Sequence, residues 1–371
     1  MADALHDQRL MDIALALGRR GLGNAWPNPA VGAVLVRNDF GTPIIVGRGW
    51  TQPGGRPHAE TEALRRAGPA ARGATLYVTL EPCSHHGKTP PCTDAIIAAG
   101  ISRVVSAIED PNREVAGRGH AMLRARGIAV DVGVGAASAL RAHAGHIRRI
   151  SEGRPHVTLK LAVSADGKAG LAGRKPAPIT GEAARAHTHL MRAANDAVLI
   201  GIGTALSDNP QLTCRLPGMA ARSPVRVVLD TSLRLPLSGA LAASAGEPRV
   251  WVVAGEGGGE DAERALRARN VEIIRCGLST ARLDLAEALR RLAARGITRL
   301  MVEGGPTVAA AFVTADLVDE AAILRAPRSI GEDGIDALEG MPLSALTASP
   351  RLRSRDIERI GEDTLERFER I

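Results

Sequence analysis

Apolar residues recur along the chain in two alternating rhythms. The N-terminal segment puts Leu10, Ile13, Ala14 and Leu17 on one face of a predicted amphipathic helix. A continuous apolar run, VGAVLV from Val31 to Val36, has the pattern of a buried strand. A polar turn (Arg37 to Pro43) separates it from a second strand, IIVGRG. HAETEALRRA then predicts a helix, ATLYVTL a strand and TDAIIAAG a helix ending at Gly100. RVVSAIED predicts a strand, HAMLRARG a helix stopped at Gly127, and AVDVGV a closing strand. The polar stretch RRISEGRP (Arg148 to Pro155), punctuated by Gly and Pro, reads as a linker.

A second alternation follows. HVTLKLAVS, AVLIGIG, VRVVLD, RVWVVAG, VEIIRC, RLMVEGG and EAAILRAP read as strands. EAARAHTHLMRAA, AERALRARN, LDLAEALRRLAARG and a segment from Val308 read as helices. The terminal DIERIGEDTLERFERI fits either closing strands or a helix. A chain of 371 residues exceeds one hydrophobic core. Without a fixed-period repeat, it reads as two consecutive α/β domains, 1–147 and 155–371, with helices on both sheet faces.

Composition narrows the classes of function. Aromatic residues make up only 2% of the chain, too few for the stacking platforms of single-stranded nucleic-acid binders. The net charge of +7 comes from arginines scattered as RR and RxR pairs, without a run of five like charges. It points to anionic small substrates rather than nucleic acid. No signal peptide and no bilayer-spanning apolar run is evident, and four cysteines in so long a chain are not a disulfide framework. The expectation is a cytoplasmic homo-oligomer without nucleic-acid or membrane partners.

The candidate chemistry is concentrated between residues 57 and 92. His58 and Glu60 stand at a helix start, Cys83 follows a strand within Glu81-Pro82-Cys83, and Cys92 follows Pro91 nine residues later. One imidazole and two thiolates suit zinc with its fourth position open, where the metal lowers the pKa of water. Glu60, two residues from a ligand, is the predicted proton carrier. Pro82 suits a strand-to-helix turn, and a helix N-terminus there would stabilise the Cys83 thiolate. His85, His86 and Lys88 in the inter-cysteine loop fit either a solvated loop or a grip on a phosphate.

These residues resemble the cytidine-deaminase-like superfamily, whose signature is H-x-E with P-C-x-x-C. The longer LEPCSHHGKTPPC, with PNPAVGAVLV and EDPNREVAGRG, resembles the riboflavin-biosynthesis deaminase. That resemblance implies an N-terminal α/β/α sandwich and a phosphoribosylamino diaminopyrimidinone substrate. It also implies zinc on His58, Cys83 and Cys92, with proton transfer by Glu60.

In the second half, LMVEGGPTVAAAF places Gly304 and Gly305 between a strand and a helix with Pro306 in its first turn. Tight backbone approach and free N–H groups there suit a dinucleotide pyrophosphate. GIGTAL lacks a full dinucleotide fingerprint, since Leu206 stands where a glycine is wanted. With KLAVSADGK and VLIGIGTALSDNPQLTCR, this half resembles the dihydrofolate-reductase-like domain fused to that deaminase in many bacteria. The resemblance implies NADPH contacts at Ala162, Pro178, Thr204, Asp208, Thr231 and from Gly305 through Pro306, Thr307, Val308, Ala309, Ala310 and Ala311. It implies substrate contacts at Pro176, Arg192, Leu212, Arg215 and Glu303. Pro176-Ala177-Pro178 replaces the family's usual serine and tryptophan, predicting slower hydride transfer or weaker cofactor binding. The competing expectations are a zinc deaminase of another nucleobase with an inactive second domain, and a nucleic-acid binder with a structural zinc.

Overall fold

The computed structural model describes residues 2–39, 42–87, 89–171, 178–257 and 259–371. Backbone contacts divide the chain into two units, Met1–Gly153 and Arg154–Ile371. The first contains α1 (Ala2–Gly18), β1 (Gly32–Asp39), β2 (Thr42–Trp50), α2 (Ala59–Ala67), β3 (Thr75–Val78) and α3 (Cys92–Ala98). It continues with β4 (Arg103–Ser106), α4 (Arg118–Ala125), β5 (Ala129–Val132), α5 (Ala136–Ala142) and α6 (Ala144–Glu152). Among the described residues its sheet has the order β2-β1-β3-β4-β5, antiparallel through β2, β1 and β3 and parallel from β3 to β5.

The apolar runs of β1, β3 and β4 form the core with Leu10 and Met11 of α1 and Ile96 of α3. Two glycines set how closely the helices lie on the hairpin. A Cβ at Gly32 would stand 1.8 Å from the Ala14 carbonyl of α1, and one at Gly49 2.2 Å from the Ala59 carbonyl of α2. Only glycine permits that approach. The expected linker is corrected here: α6 runs to Glu152, so Arg148–Ser151 are helical, and Gly153 ends the helix at φ 67°.

The second unit contains β6 (His156–Val163), β7 (Lys168–Leu171), α7 (Glu182–Ala193), β8 (Ala197–Gly201), α8 (Ile202–Asp208), β9 (Val225–Leu229), α9 (Ala240–Ala243), β10 (Val250–Gly255) and α10 (Glu260–Arg267). After these come β11 (Val271–Cys276), β12 (Leu278–Ser279), β13 (Arg282–Leu283), α11 (Leu285–Ala294), β14 (Arg299–Val302), α12 (Pro306–Thr314) and β15 (Glu320–Arg325). The last elements are β16 (Gly334–Asp336), α13 (Ser344–Thr347), β17 (Leu352–Ile360) and β18 (Asp363–Arg370). The main sheet runs β11-β10-β9-β8-β14-β6-β15-β18-β17. Strands β11 to β15 in that order are parallel, and β18 and β17 add an antiparallel edge.

That hairpin resolves the ambiguous C-terminal segment as strands. Asp363 and Leu365, two residues apart, are buried while Thr364 between them is not, the alternation of a strand, and β18 pairs along its length with β15 and β17. Helix α12 begins at Pro306, two residues earlier than the apolar pattern suggested, because proline is suited to a first helical position. The order of the parallel strands brings the carboxyl ends of β8, β9, β10, β11 and β14 together, the usual crevice of an open α/β sheet.

Candidate active sites

In the first unit, His58 is the extended residue immediately before α2, with φ −69° and ψ 161°. Its ring therefore leaves the chain where the helix starts, and Glu60 falls in the first turn. Cys92 opens α3, with Pro91 as the extended residue before it. Cys83 lies in the loop after β3, not at a helix start, which corrects one expectation. The helix that serves its sulfur is instead α3, whose first N–H, that of Cys92, points at Cys83 Sγ over 3.3 Å. His58 Nδ1 is 3.3 Å from Cys92 Sγ and 3.6 Å from Cys83 Sγ. The candidate ligand atoms of these three residues all lie within 4.8 Å of one another. Asn28 Nδ2 lies 3.2 Å from His58 Nε2 and donates to the Gly55 carbonyl, so it holds the ring with Nδ1 towards the sulfurs.

The charges follow this geometry. The Cys92 thiol, then His58, bring Cys83 down to about 4, while contact with Cys83 and burial push Cys92 up. The Cys83 contact raises His58, and burial raises Glu60, which is 4% exposed. Two soft sulfurs and one nitrogen, close together and with one sulfur already anionic, fit zinc. His85 and His86 are exposed, and Lys88 lies outside the described residues.

Glu81, which sequence reasoning quoted without giving it a role, is buried. Its carboxylate accepts the backbone N–H groups of Asp110, Gly117, Gly119 and His120 at 2.8 to 3.2 Å. The loop from Asp110 to Gly117, part of EDPNREVAGRG, is thereby fixed beside Pro82 and Cys83. Gly119 is so close that a Cβ would stand 2.2 Å from the Pro82 carbonyl. Glu81, Glu109 and His120 could also hold an ion by proximity, but the four N–H groups occupy the Glu81 oxygens.

The second unit has two adjoining cavities. The larger, about 950 Å³, is lined by Thr204, Thr231, Gly305, Thr307, Val308, Ala310 and Ala311, among others. The smaller, about 370 Å³, is lined by Lys160, Ala162, Pro178, Arg185, Asp208, Glu303 and Pro306, and shares Thr204 and Gly305 with the larger. Gly305 N–H donates to Thr204 Oγ1 over 3.2 Å, tying the start of α12 to α8. A Cβ at Gly304 would stand 2.6 Å from Val308 Cβ, and one at Gly201 2.7 Å from Val308 Cγ2. This open cradle against a helix start, with hydroxyls beside it, fits a dinucleotide.

Residues 155–365 match the RibD C-terminal domain, and residues 5–108 match the cytidine and deoxycytidylate deaminase zinc-binding region. The chain is 38% identical to riboflavin biosynthesis protein RibD of Escherichia coli K12, over 97% of this chain and 98% of that protein. The chain belongs to the RibD family. RibD of Bacillus amyloliquefaciens is 40% identical over 96% of this chain and 94% of its own. The solved structure of Acinetobacter baumannii RibD, form 1, superposes with a TM-score of 0.86 at 34% identity, covering 99% of both chains. A deaminase/reductase from Thermotoga maritima gives 0.83 at 35% identity, covering both chains completely.

In the second unit the remaining predicted residues are not all in the lining of these two cavities. Ala309 is fully buried in the core and Leu212 is 4% exposed in another part of it, so neither side chain lines a cavity. Arg192 stands directly beside Glu303 of the smaller cavity. Its guanidinium makes a two-toothed ion pair with Glu303 at 2.6 and 2.9 Å and donates to the Thr213 carbonyl. A buried carboxylate needs such a countercharge. Arg215 is exposed beside His189, and Pro176 lies outside the described residues. Lys160 and Arg185 were missed. Lys160 is the first residue of KLAVSADGK, and its alternation along β6 was the available signal. Burial lowers Lys160, with Glu303 and Arg192 close by. Burial opposes ionisation of Glu303, but Arg192 and Lys160 hold it below the usual carboxylate range.

Proposed function

We infer that this chain performs two consecutive steps of riboflavin biosynthesis. The first is hydrolytic deamination of 2,5-diamino-6-(5-phosphoribosylamino)pyrimidin-4-one. The second is NADPH-dependent reduction of the ribosyl side chain to ribityl. We assign the deaminase to residues 1–147 and the reductase to 155–371. The observation that carries the reading is an imidazole and two thiols beside a buried carboxyl in one unit, and a glycine-cradled cavity in the other.

Zinc held by His58, Cys83 and Cys92 would make water nucleophilic at neutral pH. Asn28 fixes the His58 ring, and the Cys92 N–H stabilises charge on Cys83. Glu60 takes a proton from water and delivers protons to the ring nitrogen and the departing ammonia. Its burial, by raising its pKa, suits it to both halves of that relay. In the second unit, NADPH would supply hydride to C1′ of the open, imine-like side chain. Glu303, held ionised by Arg192, accepts hydrogen bonds rather than giving up a proton. Lys160 in the same wall is the cation suited to protonate the side-chain nitrogen, and exposed Arg215 meets the substrate phosphate.

No helix among the described residues is long and apolar enough to cross a membrane, and the four cysteines are free thiols. Free thiols support a cytoplasmic placement. Exposed Ile357 on edge strand β17 supports a homo-oligomer, which light scattering would check.

The deciding experiment incubates the purified chain with the pyrimidine substrate and NADPH. Ammonia release followed by NADPH oxidation is expected. Ammonia release without oxidation would leave only the deaminase, as would an inactive second domain.

A further inference from the structure

The stretch HAGHIRRI, at the start of α6, sets His143, His146 and Arg149 three residues apart, along one side of the helix. The inward side of a surface helix is ordinarily apolar. On α6 the buried positions are Gly145 and His146, and His143 before it is 2% exposed. These polar side chains reach loops rather than strands. His143 Nε2 lies 3.0 Å from Thr79 Oγ1, in the segment that leads from β3 to Cys83. The same hydroxyl accepts the Gly32 N–H. His146 Nε2 lies 3.1 Å from Asp110 Oδ1, in the loop after β4. Arg149 donates to the Pro27 carbonyl over 3.4 Å, one residue before the Asn28 that holds the His58 ring. One side of α6 thus meets three loops that carry or border the candidate zinc ligands.

The contact with Asp110 is the most informative of the three. A carboxylate only accepts, so Nε2 of His146 donates. Its Nδ1 is buried without a hydrogen-bond partner among the described residues. A phenylalanine ring would fill the same space without burying an unpaired nitrogen. What histidine adds at position 146 is therefore the bond to Asp110. The oxygen that receives it also accepts the Asn112 N–H over 2.9 Å, so the ring and the main chain of the loop meet at one atom. The Asp110 N–H is in turn held by Glu81. Asp110 is gripped by α6 at its side chain and by Glu81 at its main chain. The loop so fixed lies beside Cys83, where a pyrimidine at the metal would meet it.

We propose that His146 is a positioning residue for the deamination: through Asp110 it sets the loop after β4 where that loop meets the pyrimidine substrate. The proposal rests on the deaminase reading of the first unit. The ligands themselves are held by other groups, His58 by Asn28 and Cys83 by the Cys92 N–H. Loss of the His146 bond therefore weakens substrate binding while zinc and the proton relay of Glu60 stay in place.

The test follows steady-state ammonia release by the zinc-loaded full chain, with zinc content and thermal melting measured on the same samples. His146→Phe should raise the KM for the pyrimidine about tenfold, the worth of one bond to a charged group. Its kcat should stay within about twofold, the mark of lost binding rather than lost chemistry. Zinc content should not change, nor should NADPH oxidation with the deaminated intermediate supplied directly. His146→Gln, whose amide N–H can replace Nε2–H, should recover most of the KM. The double variant His146→Phe/Asp110→Ala should be no worse than Asp110→Ala alone, because the two side chains act as one unit. An unchanged KM in His146→Phe would overturn the proposal, as would additive effects in the double variant. So would zinc loss, a fall in kcat at constant KM, or a glutamine variant no better than the phenylalanine one. Should His146→Phe not fold, Asp110→Ala decides, since a wild-type KM there overturns the proposal equally. Wild type that releases no ammonia would instead overturn the deaminase reading itself.

Discussion

The two sites are built at different ranges of the chain, and that decides how each responds to change. The candidate metal centre needs four side chains drawn from residues 58–92, all fixed by one helix start, one loop and a second helix start. The nucleotide cavity draws its wall from residues as distant as Gly201 and Met341, and most of it is backbone and small side chains at strand ends. A compact constellation concentrates its function in single groups, whereas a distributed wall depends on shape and spreads it.

The first and largest test of that contrast is Glu60→Gln. Ammonia release should fall by about 10²- to 10⁴-fold, the usual worth of a positioned proton carrier, while zinc content by metal analysis stays at wild-type level. NADPH oxidation with the deaminated intermediate supplied directly should be unaffected. A parallel loss in that second assay would break the claimed independence.

Glu81→Gln is the next step down. The variant is nearly isosteric, but its amide turns one acceptor into a donor facing backbone N–H groups, leaving some of them unpaired at about 1–3 kcal/mol each. Deamination efficiency should drop by roughly tenfold or more, with zinc retained. Restoration by Glu81→Asp in part would support a positioning role, and wild-type kinetics in the Gln variant would refute it.

Gly304→Ala probes the distributed wall. The added methyl meets Val308 at 2.6 Å, and overpacking of that kind costs about 1–3 kcal/mol. NADP⁺ affinity should weaken with ammonia release preserved. Unchanged NADP⁺ binding would mean that the α12 start is not the pyrophosphate seat.

The smallest effect concerns the scaffold. Burial opposes ionisation of Asp7, but Arg103 and the Tyr77 hydroxyl hold its carboxyl below the usual range. A depressed folded pKa stabilises above the unfolded value of about 3.9 and is lost as pH falls through the folded value. Asp7→Asn should therefore lower the melting midpoint of the first unit by about 2–4 °C at pH 6. The gap should narrow as the pH is lowered below about 4. A gap that does not shrink on acidification would show that charge is not its source.

The same contrast explains what the sequence disclosed. Strands β1, β3 and β4 centre on apolar residues, and β8 and β10 are apolar throughout, so their burial dictated the pattern that was read. His58, Glu60, Cys83 and Cys92 were legible because metal chemistry restricts residue type and spacing together. The role of Glu81 was hidden, since its partners are backbone N–H groups about thirty to forty residues away, which have no letter in the sequence. The ion pair of Arg192 was hidden for a related reason: its carboxylate lies 111 residues along the chain, and a paired arginine looks like a free one until the fold brings Glu303 to it. Helix α5 went unread because its alanines blur the apolar period, and α6 because its charged RRISE end, followed by Gly and Pro, reads as a linker.

Glu81 also has a consequence for how this protein can diverge. One carboxylate holds the Asp110–His120 stretch by its main chain, and the Asp110 and Asn112 side chains close turns within it, so its shape asks little of the other exposed side chains. Positions such as Arg113 and Glu114 are then interchangeable letters in a fixed frame. Mutation there can retune what the surface beside the cysteines recognises without the fold having to be reinvented, provided that Glu81 and Gly119 stay as they are.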